Sequence, residues 1–156
     1  MKRFLTKLSK IILVLAIGLS PLLSVMTVSA TEISIGAEAI NRGGFEDFGR
    51  TFIDLDSPAA ANGTLTTIDI RAETEMTGLR AGTFYLVSGT NYKCRDSVTL
   101  GNVPTPYSMV RFTGLDIDVQ TGDYIGCFFA SGRIEKDDIG YAGIYVIGSE
   151  SIDPGD

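Results

Sequence analysis

The chain has 156 residues, of which 13 are basic and 19 are acidic, and it contains no histidine and no tryptophan. Its net charge of −6 argues against nucleic-acid partners, because phosphate backbones are bound by basic surfaces. The lack of histidine removes the commonest general base and the commonest ligand of transition metals.

The first 30 residues show the order of features that is typical of a secretory signal peptide. Basic residues precede an apolar run from Ile11 to Leu19, Pro21 interrupts the helical pattern, and the small residues 28–30 suit a signal peptidase. The alternative is an uncleaved membrane anchor, since the stretch 11–28 reaches the lower limit of about 18 residues for a spanning helix. We expect cleavage near Ala30, secretion or display at the cell surface, and membrane contact only through this segment.

Removal of the signal changes the charge of the remaining chain. Residues 31–156 carry nine basic and 19 acidic side chains, a net charge of −10, and the acidic residues are spread along the chain. This pattern is typical of a solvated acidic surface, and it is compatible with divalent cations. The length suits one domain, and no linker or repeat divides it. We predict a single domain over residues 31–156.

The pattern of this domain is all-β. Runs of β-branched and aromatic residues recur about every 10 to 15 residues, separated by Gly, Asn, Asp and Pro. A helix is hard to place, and the single candidate turn at 73–80 contains a glycine. The spacing predicts an antiparallel β-sandwich, jelly-roll-like in arrangement. The predicted strands are Glu32–Ala37, Thr51–Leu55, Thr64–Ala72, Gly82–Val87, Lys93–Leu100, Ser108–Thr113, Leu115–Val119, Tyr124–Ala130 and Gly143–Ile147.

Alternation of apolar and polar residues is clearest in two of these strands. In 68–72 the aliphatic residues share one face and the charged residues share the other. In the second, Asp116 and Asp118 point away from their aliphatic neighbours. The turn 120–123 contains a glycine that can take a positive φ, and the run 124–129 after it is apolar on both faces, as in a central strand.

The last residues, Ile152–Asp156, form a turn-like stretch after which a further strand is expected. A missing last strand would leave an open sheet edge, which sandwiches normally protect. Two interpretations stay open: the sequence is a fragment, or a neighbouring molecule supplies the strand. The segment 31–40, which has apolar residues at alternate positions, is a candidate donor of such a strand.

The segment FTGLDIDVQTGDYIGCFF at 112–129, with its continuation GRIEKDDIGY at 132–141, resembles a β-sandwich module of uncharacterised exported, phage and environmental proteins. The stretches ANGTLTTIDI at 61–70 and GTFY at 82–85 are similar to parts of the same module. The resemblance covers about residues 33–150. It implies a sandwich in which a further strand follows, and it implies no reaction and no ligand residues.

Calcium is the best hypothesis for a bound ligand that the sequence offers. Asp116, Asp118 and Asp123 supply the hard oxygen donors that Ca²⁺ prefers, and alternate aspartates on a strand face the same way. The EF-hand spacing is missing, and outward aspartates on strands are ordinary surface residues. The alternative is therefore that these three residues are solvated.

Carbohydrate binding is a hypothesis by analogy with other extracellular sandwiches. Sugar-binding faces usually carry exposed aromatic side chains, and Tyr141 and Tyr145 lie in a Gly-rich segment where both can be exposed. The alternative is that they pack on the sheet with their hydroxyls in water. Paired carboxylates can also support a glycoside hydrolase, but none of the 19 acidic residues has a recognisable setting.

Cys94 and Cys127 are the only cysteines, and export permits a disulfide between them. Closing a loop of this length stabilises a fold by about 3–4 kcal/mol in the chain-entropy model. A small buried thiol is the alternative, because Cys127 lies within an apolar strand. Both interpretations stay open, since the distance between the two residues decides.

Together these observations predict a non-catalytic extracellular module, either a surface or structural component or a ligand-binding domain. The first alternative is a filament or surface-layer subunit that completes its sandwich with a neighbour's strand. The second is a carbohydrate-binding module, with a carboxylate-based glycoside hydrolase as its catalytic variant. The expected partners are a glycan or a second copy of the chain, and no nucleic acid.

Overall fold

The computed structural model describes residues 32–137, 139 and 143–156. These residues form nine strands and no helix, and every strand pair is antiparallel. The all-β prediction is confirmed, and nothing in the described ranges is a helix long and apolar enough to cross a membrane. The strands are β1 (Gly44–Asp47), β2 (Thr51–Asp54), β3 (Gly63–Arg71), β4 (Met76–Ser88), β5 (Asn91–Val103), β6 (Met109–Val119), β7 (Tyr124–Phe128), β8 (Arg133–Lys136) and β9 (Ile144–Ile147).

The strands are arranged in three sheets. The largest has five strands in the order β5-β4-β7-β2-β9, and the other two are the pairs β3-β6 and β1-β8. The β3-β6 pair packs against one face of the five-stranded sheet, as in a sandwich. This strand order does not confirm the jelly-roll arrangement. The predicted signal segment lies outside the described residues.

Several predicted elements differ from the observed ones. The segment 32–37 contains no strand, and 73–80 is a bend followed by the start of β4 instead of a helical turn. The two strands predicted on either side of Gly114 are one strand, β6, because this glycine adopts a positive φ of 72° where the register with β3 shifts.

Strands β1 and β8 were not predicted, because their sequences GFED and RIEK are half charged or more. Cross-strand ion pairs hold them together. Arg133 Nε lies 2.9 Å from Asp47 Oδ1, and Lys136 Nζ lies 2.7 Å from Glu46 Oε1. Charge pairing thus replaces the apolar alternation by which strands are recognised.

The main core lies between the five-stranded sheet and the β3-β6 pair. The rings of Phe52 and Phe129 stack there with centroids 5.6 Å apart. The predicted alternation of 68–72 is confirmed, since its three aliphatic residues are buried in this core. The other buried members are Ala59, Leu65, Met76, Leu79, Ala81, Val103, Ile117, Val119 and Cys127.

A smaller cluster lies on the opposite face of the five-stranded sheet. Its buried members are Ile53, Phe84, Cys94 and Ile152. Neighbouring residues of β2 and β7 therefore enter different cores, as successive side chains of a strand must. This confirms the prediction that 124–129 is apolar on both faces, because β7 lies between β4 and β2.

The predicted turn between β6 and β7 is also confirmed. The Asp123 N–H donates to the Gln120 carbonyl over 2.9 Å, and Gly122 has a φ of 89°. A positive φ at the third residue is what a type II turn requires. The turn thereby fixes where Tyr124 begins the next strand.

Candidate ligand-binding face

The C-terminal segment covers one half of the second face of the five-stranded sheet. Ile152 is fully buried there. The Gly155 N–H donates to the Cys94 carbonyl, and the Cys94 N–H donates to the Asp156 carbonyl, both over 2.9 Å. The backbone of 149–156 is therefore fixed across this half, while the other half is not covered by it.

Arg80 of β4 holds the same segment by charge. Its guanidinium lies 2.6 Å from Glu150 Oε1 and 2.5 Å from Asp153 Oδ1. The hydrogen bond with Asp153, followed by that with Glu150, raises the pKa of the arginine. Both carboxylates are substantially exposed, so each pair contributes modestly, and together they fix the position of the segment.

One glycine of a pair on the central strands makes room on this face for an aromatic ring. Gly82 of β4 and Gly126 of β7 are register partners. A Cβ on Gly126 would lie 2.6 Å from Phe84 Cε2 and 2.7 Å from the Phe52 carbonyl oxygen. The Phe84 ring thus occupies the space that a side chain at position 126 would need. It is also a buried member of the smaller core.

Three tyrosines from three strands meet on the half that the C-terminal segment does not cover. Tyr92 of β5, Tyr124 of β7 and Tyr145 of β9, here called the tyrosine cluster, are half-buried against the smaller core. The Tyr92 ring centroid lies 5.8 Å from that of Tyr124, edge to face, and 5.1 Å from that of Tyr145, tilted by 42°. Each such contact contributes roughly 0.5–1.5 kcal/mol beyond the burial of its area.

The hydroxyl groups of the cluster are the polar ends of half-buried side chains. Within the described part of the chain none of them has a hydrogen-bond partner, and none is a buried polar atom. Burial raises the pKa of Tyr92 above its ordinary 10.0, and the neighbouring Tyr124 and Tyr145 raise it further. The Tyr92 hydroxyl therefore stays protonated and can donate a hydrogen bond at neutral pH.

Of the two predicted sugar-binding tyrosines, Tyr145 belongs to this cluster and Tyr141 lies outside the described residues. Sequence reasoning missed Tyr92 and Tyr124, because they lie on strands far from Tyr145 in the chain. Leu86, the register partner of Tyr92, is 46% exposed and extends the same face toward the tip of the β4-β5 hairpin. The site therefore depends on long-range strand pairing.

The structure does not bring the three candidate calcium ligands together. Asp116 and Asp118 are exposed on β6, whereas Asp123 is buried and 1% exposed. The Asp123 carboxylate accepts from Arg95 Nε and Nη2 over 2.5 and 2.8 Å, and from the Gln120 N–H over 2.8 Å. No group of three metal-ligating side chains occurs among the residues described. Asp116, Asp118 and Asp123 therefore do not form the predicted set of calcium ligands.

The Cys94–Cys127 disulfide, left open by the sequence, is not formed. Both cysteines are free and buried. Cys94 belongs to the smaller core and Cys127 to the main core, on opposite faces of the sheet. Burial raises the pKa of Cys94 to about 11 and that of Cys127 to about 12, so both thiols stay protonated and unreactive at neutral pH.

No protein-family model matches the chain, and comparisons with curated proteins and with solved structures also find no match. The resemblance of 112–141 to a module of exported and phage proteins therefore stays a prediction. The tyrosine cluster is the feature of the described residues from which a function can be inferred.

Proposed function

We propose that this protein is a non-catalytic extracellular module that binds carbohydrate through the tyrosine cluster. The observation that carries the proposal is the meeting of Tyr92, Tyr124 and Tyr145 on the half of a sheet face that residues 149–156 do not cover. Their rings offer apolar surface to the C–H groups of a sugar, and their hydroxyls offer hydrogen bonds to its hydroxyls. A ligand with both kinds of group at short spacing fits this surface.

The charge of the domain narrows the class of glycan. Residues 31–156 carry a net charge of −10, so a polyanionic glycan would be repelled at long range. The three rings of the cluster are neutral, and its exposed neighbour Leu86 is apolar. We therefore expect an uncharged oligosaccharide.

Binding without catalysis is favoured by the chemistry of the cluster. A glycoside hydrolase of the usual kind uses two carboxyl groups that flank the bond to be cleaved. The cluster consists of phenols, which bind and orient a ligand without that paired acid and base. The extracellular location rests on the signal features of residues 1–30.

A glycan array probed with the full chain, expressed with its own N-terminal segment, tests the proposal. We expect an uncharged oligosaccharide to bind, and Tyr145→Ala to weaken its binding about tenfold, because one aromatic contact is lost. Tyr107→Ala is the matched control, since Tyr107 is 59% exposed and lies outside the cluster. Absence of any bound glycan, or equal affinity of the two variants, would overturn the proposal.

A further inference from the structure

Strand β5 contributes side chains to both faces of the five-stranded sheet in an irregular order. Tyr92 and Cys94 pack in the smaller core on the second face, whereas Val98 and Leu100 pack against the main core on the other face. In a regular strand, residues an even number of positions apart lie on the same face. The alternation of β5 is therefore interrupted between Cys94 and Val98.

The interruption is a β-bulge at Arg95. Cys94 and Asp96 pair with successive residues of β4, so Arg95 between them has no register partner. An extra residue of this kind reverses the alternation of the strand beyond it and redirects side chains. The bulge thereby places the tyrosine of β5 on the second face, where the tyrosine cluster forms.

An ion pair joins the bulge to the turn before β7. Arg95 donates from Nε and Nη2 to the two carboxylate oxygens of Asp123, over 2.5 and 2.8 Å. The Asp123 side chain is 2% exposed, and the guanidinium lies over the ring of Tyr85 on β4, 4.7 Å from its centroid. A two-point contact of this kind fixes orientation as well as distance. Because an unpaired buried carboxylate is costly, the pair holds the bulge and the turn together.

Further hydrogen bonds join the bulge to the end of β6 and stabilise the turn. The Asp118 N–H donates to Asp96 Oδ2 over 2.8 Å, and the Asp118 carbonyl accepts from the Thr83 hydroxyl over 2.7 Å. The Asp123 carboxylate also accepts from the Gln120 N–H within its own turn. The bulge, the end of β6 and the turn before β7 therefore form one hydrogen-bonded unit.

This unit connects the two strands whose tyrosine rings meet edge to face. Asp123 directly precedes Tyr124, and Arg95 lies three residues after Tyr92. Strands β5 and β7 are not neighbours, because β4 lies between them. The guanidinium passes over β4 at Tyr85, so the ion pair relates the positions of two rings that no direct strand pairing relates.

We propose that Arg95 is a positioning residue of the binding site, which through Asp123 sets the Tyr92 ring against the Tyr124 ring. Its guanidinium lies on the side of the sheet away from the cluster, because Tyr85 beneath it alternates with a residue of the smaller core. Arg95 therefore acts on a ligand only through the rings. The effect on affinity rests on the proposed carbohydrate binding, since rings that are already in place cost less to order when a ligand binds.

Two substitutions at Arg95 test this role. Arg95→Gln removes the ion pair, and Arg95→Lys keeps the positive charge beside Asp123 but loses the two-point contact. Arg111→Gln is the matched control, because Arg111 also donates twice to one carboxylate, that of Asp69, on the β3-β6 pair away from the cluster. Each full chain is first shown to be folded by urea denaturation. The nuclear Overhauser effect between the Tyr92 and Tyr124 rings is then measured without ligand, and the affinity is measured for the oligosaccharide that binds the natural chain best.

We expect the effect between the two rings to be lost in Arg95→Gln and weakened in Arg95→Lys, with affinity reduced about tenfold and roughly threefold. The control should keep both the ring contact and the affinity of the natural chain. If Arg95→Gln does not fold, Arg95→Lys decides, because it leaves no buried charge unpaired. A folded Arg95→Lys variant with unchanged ring contact and affinity would overturn the positioning role.

The two readouts separate this inference from the proposed function. If the natural chain binds no oligosaccharide, the carbohydrate proposal fails, and the ring contact in the ligand-free chain still decides whether Arg95 positions the two tyrosines. If Arg95→Gln and the control lose the ring contact equally, the effect is a general loss of stability, which contradicts the role assigned to Arg95.

Discussion

The two faces of the five-stranded sheet are built from the same strands and differ in what covers them. The first face is covered by the β3-β6 pair, and aliphatic residues dominate the core between them. The second face is covered over one half by residues 149–156, and on the other half it carries Tyr92, Tyr124 and Tyr145. Side chains that are apolar throughout are used where water is excluded, and side chains with a polar end are used where water remains.

This difference separates stability from binding. Burial of apolar area on the first face contributes most of the free energy that favours folding. The second face contributes less, since its cluster is smaller and its tyrosines stay half-exposed. A binding surface can therefore be altered there without loss of the fold, and the following predictions test that separation.

The largest effect is expected from Phe129→Ala. Phe129 is fully buried on the first face and stacks on Phe52, so its removal leaves a cavity in the main core. We expect the free energy of unfolding, measured by urea denaturation, to fall by about 3–5 kcal/mol. Tyr145→Phe on the second face removes only the hydroxyl of a half-buried side chain and should change stability by less than about 0.5 kcal/mol. Similar losses in both variants would contradict the proposed separation.

A smaller loss of stability is expected at Gly126, where an added side chain would meet both Phe84 and Phe52. In Gly126→Ala the added methyl meets Phe84 on the second face and the backbone of Phe52. We expect a loss of about 1–3 kcal/mol from overpacking, measured by thermal or urea unfolding. Gly148→Ala is the matched control, because no atom lies within 4 Å of the new methyl. Equal stability of the two variants would show that the ring does not fill this space.

Local sequence patterns predict some parts of this fold and miss others. Most of the strands, the alternation of 68–72 and the turn at 120–123 follow from local patterns, and the structure confirms them, whereas the strand predicted at 32–37 is absent. The meeting of Tyr92 with Tyr145 does not follow, because it depends on which distant strands pair. The sequence also does not predict the charged strands β1 and β8. Ion pairs stabilise these strands, and they lack the alternation of apolar and polar residues by which strands are recognised.

The two cysteines allow a test of the assignment of faces. Because Cys94 and Cys127 lie on opposite faces, we expect the intact mass to be the same with and without reductant. Both thiols should react with a thiol reagent only after denaturation. A disulfide would require the two residues to share one face, which would contradict the arrangement of cores.

Their titration predicts a loss of stability in alkaline solution. Folding raises the thiol pKa from 9.0 to about 11 in Cys94 and to about 12 in Cys127. The folded state therefore holds these protons more tightly than the unfolded state, so the stabilisation is complete below pH 9 and is lost as the pH rises toward 12. Cys127→Ala should make the unfolding free energy fall less steeply over this range. If Cys127→Ala leaves the slope of the unfolding free energy against pH unchanged, the Cys127 thiol is in contact with water, which contradicts its burial.

The smallest effect is expected at the ion pair of Asp69 and Arg111, on the outer side of β3 and β6. Two hydrogen bonds of 2.7 Å from Arg111 lower the pKa of Asp69 below its ordinary 3.8. The pair thus stabilises the fold above pH 3.8, and this contribution is lost as the pH falls below that value. In an acid titration of stability, Asp69→Asn should show a shallower decline than the control Asp116→Asn. Identical curves would show that the pair contributes nothing measurable.

The central claim is that the tyrosine cluster on the second face binds carbohydrate, and NMR of the full chain with labelled tyrosine rings tests it most directly. Titration with the uncharged oligosaccharide that binds best should shift the ring signals of Tyr92, Tyr124 and Tyr145, while those of Tyr85 and Tyr107 stay in place. Ring signals that do not move at saturating oligosaccharide, or shifts confined to Tyr85 and Tyr107, would contradict the account.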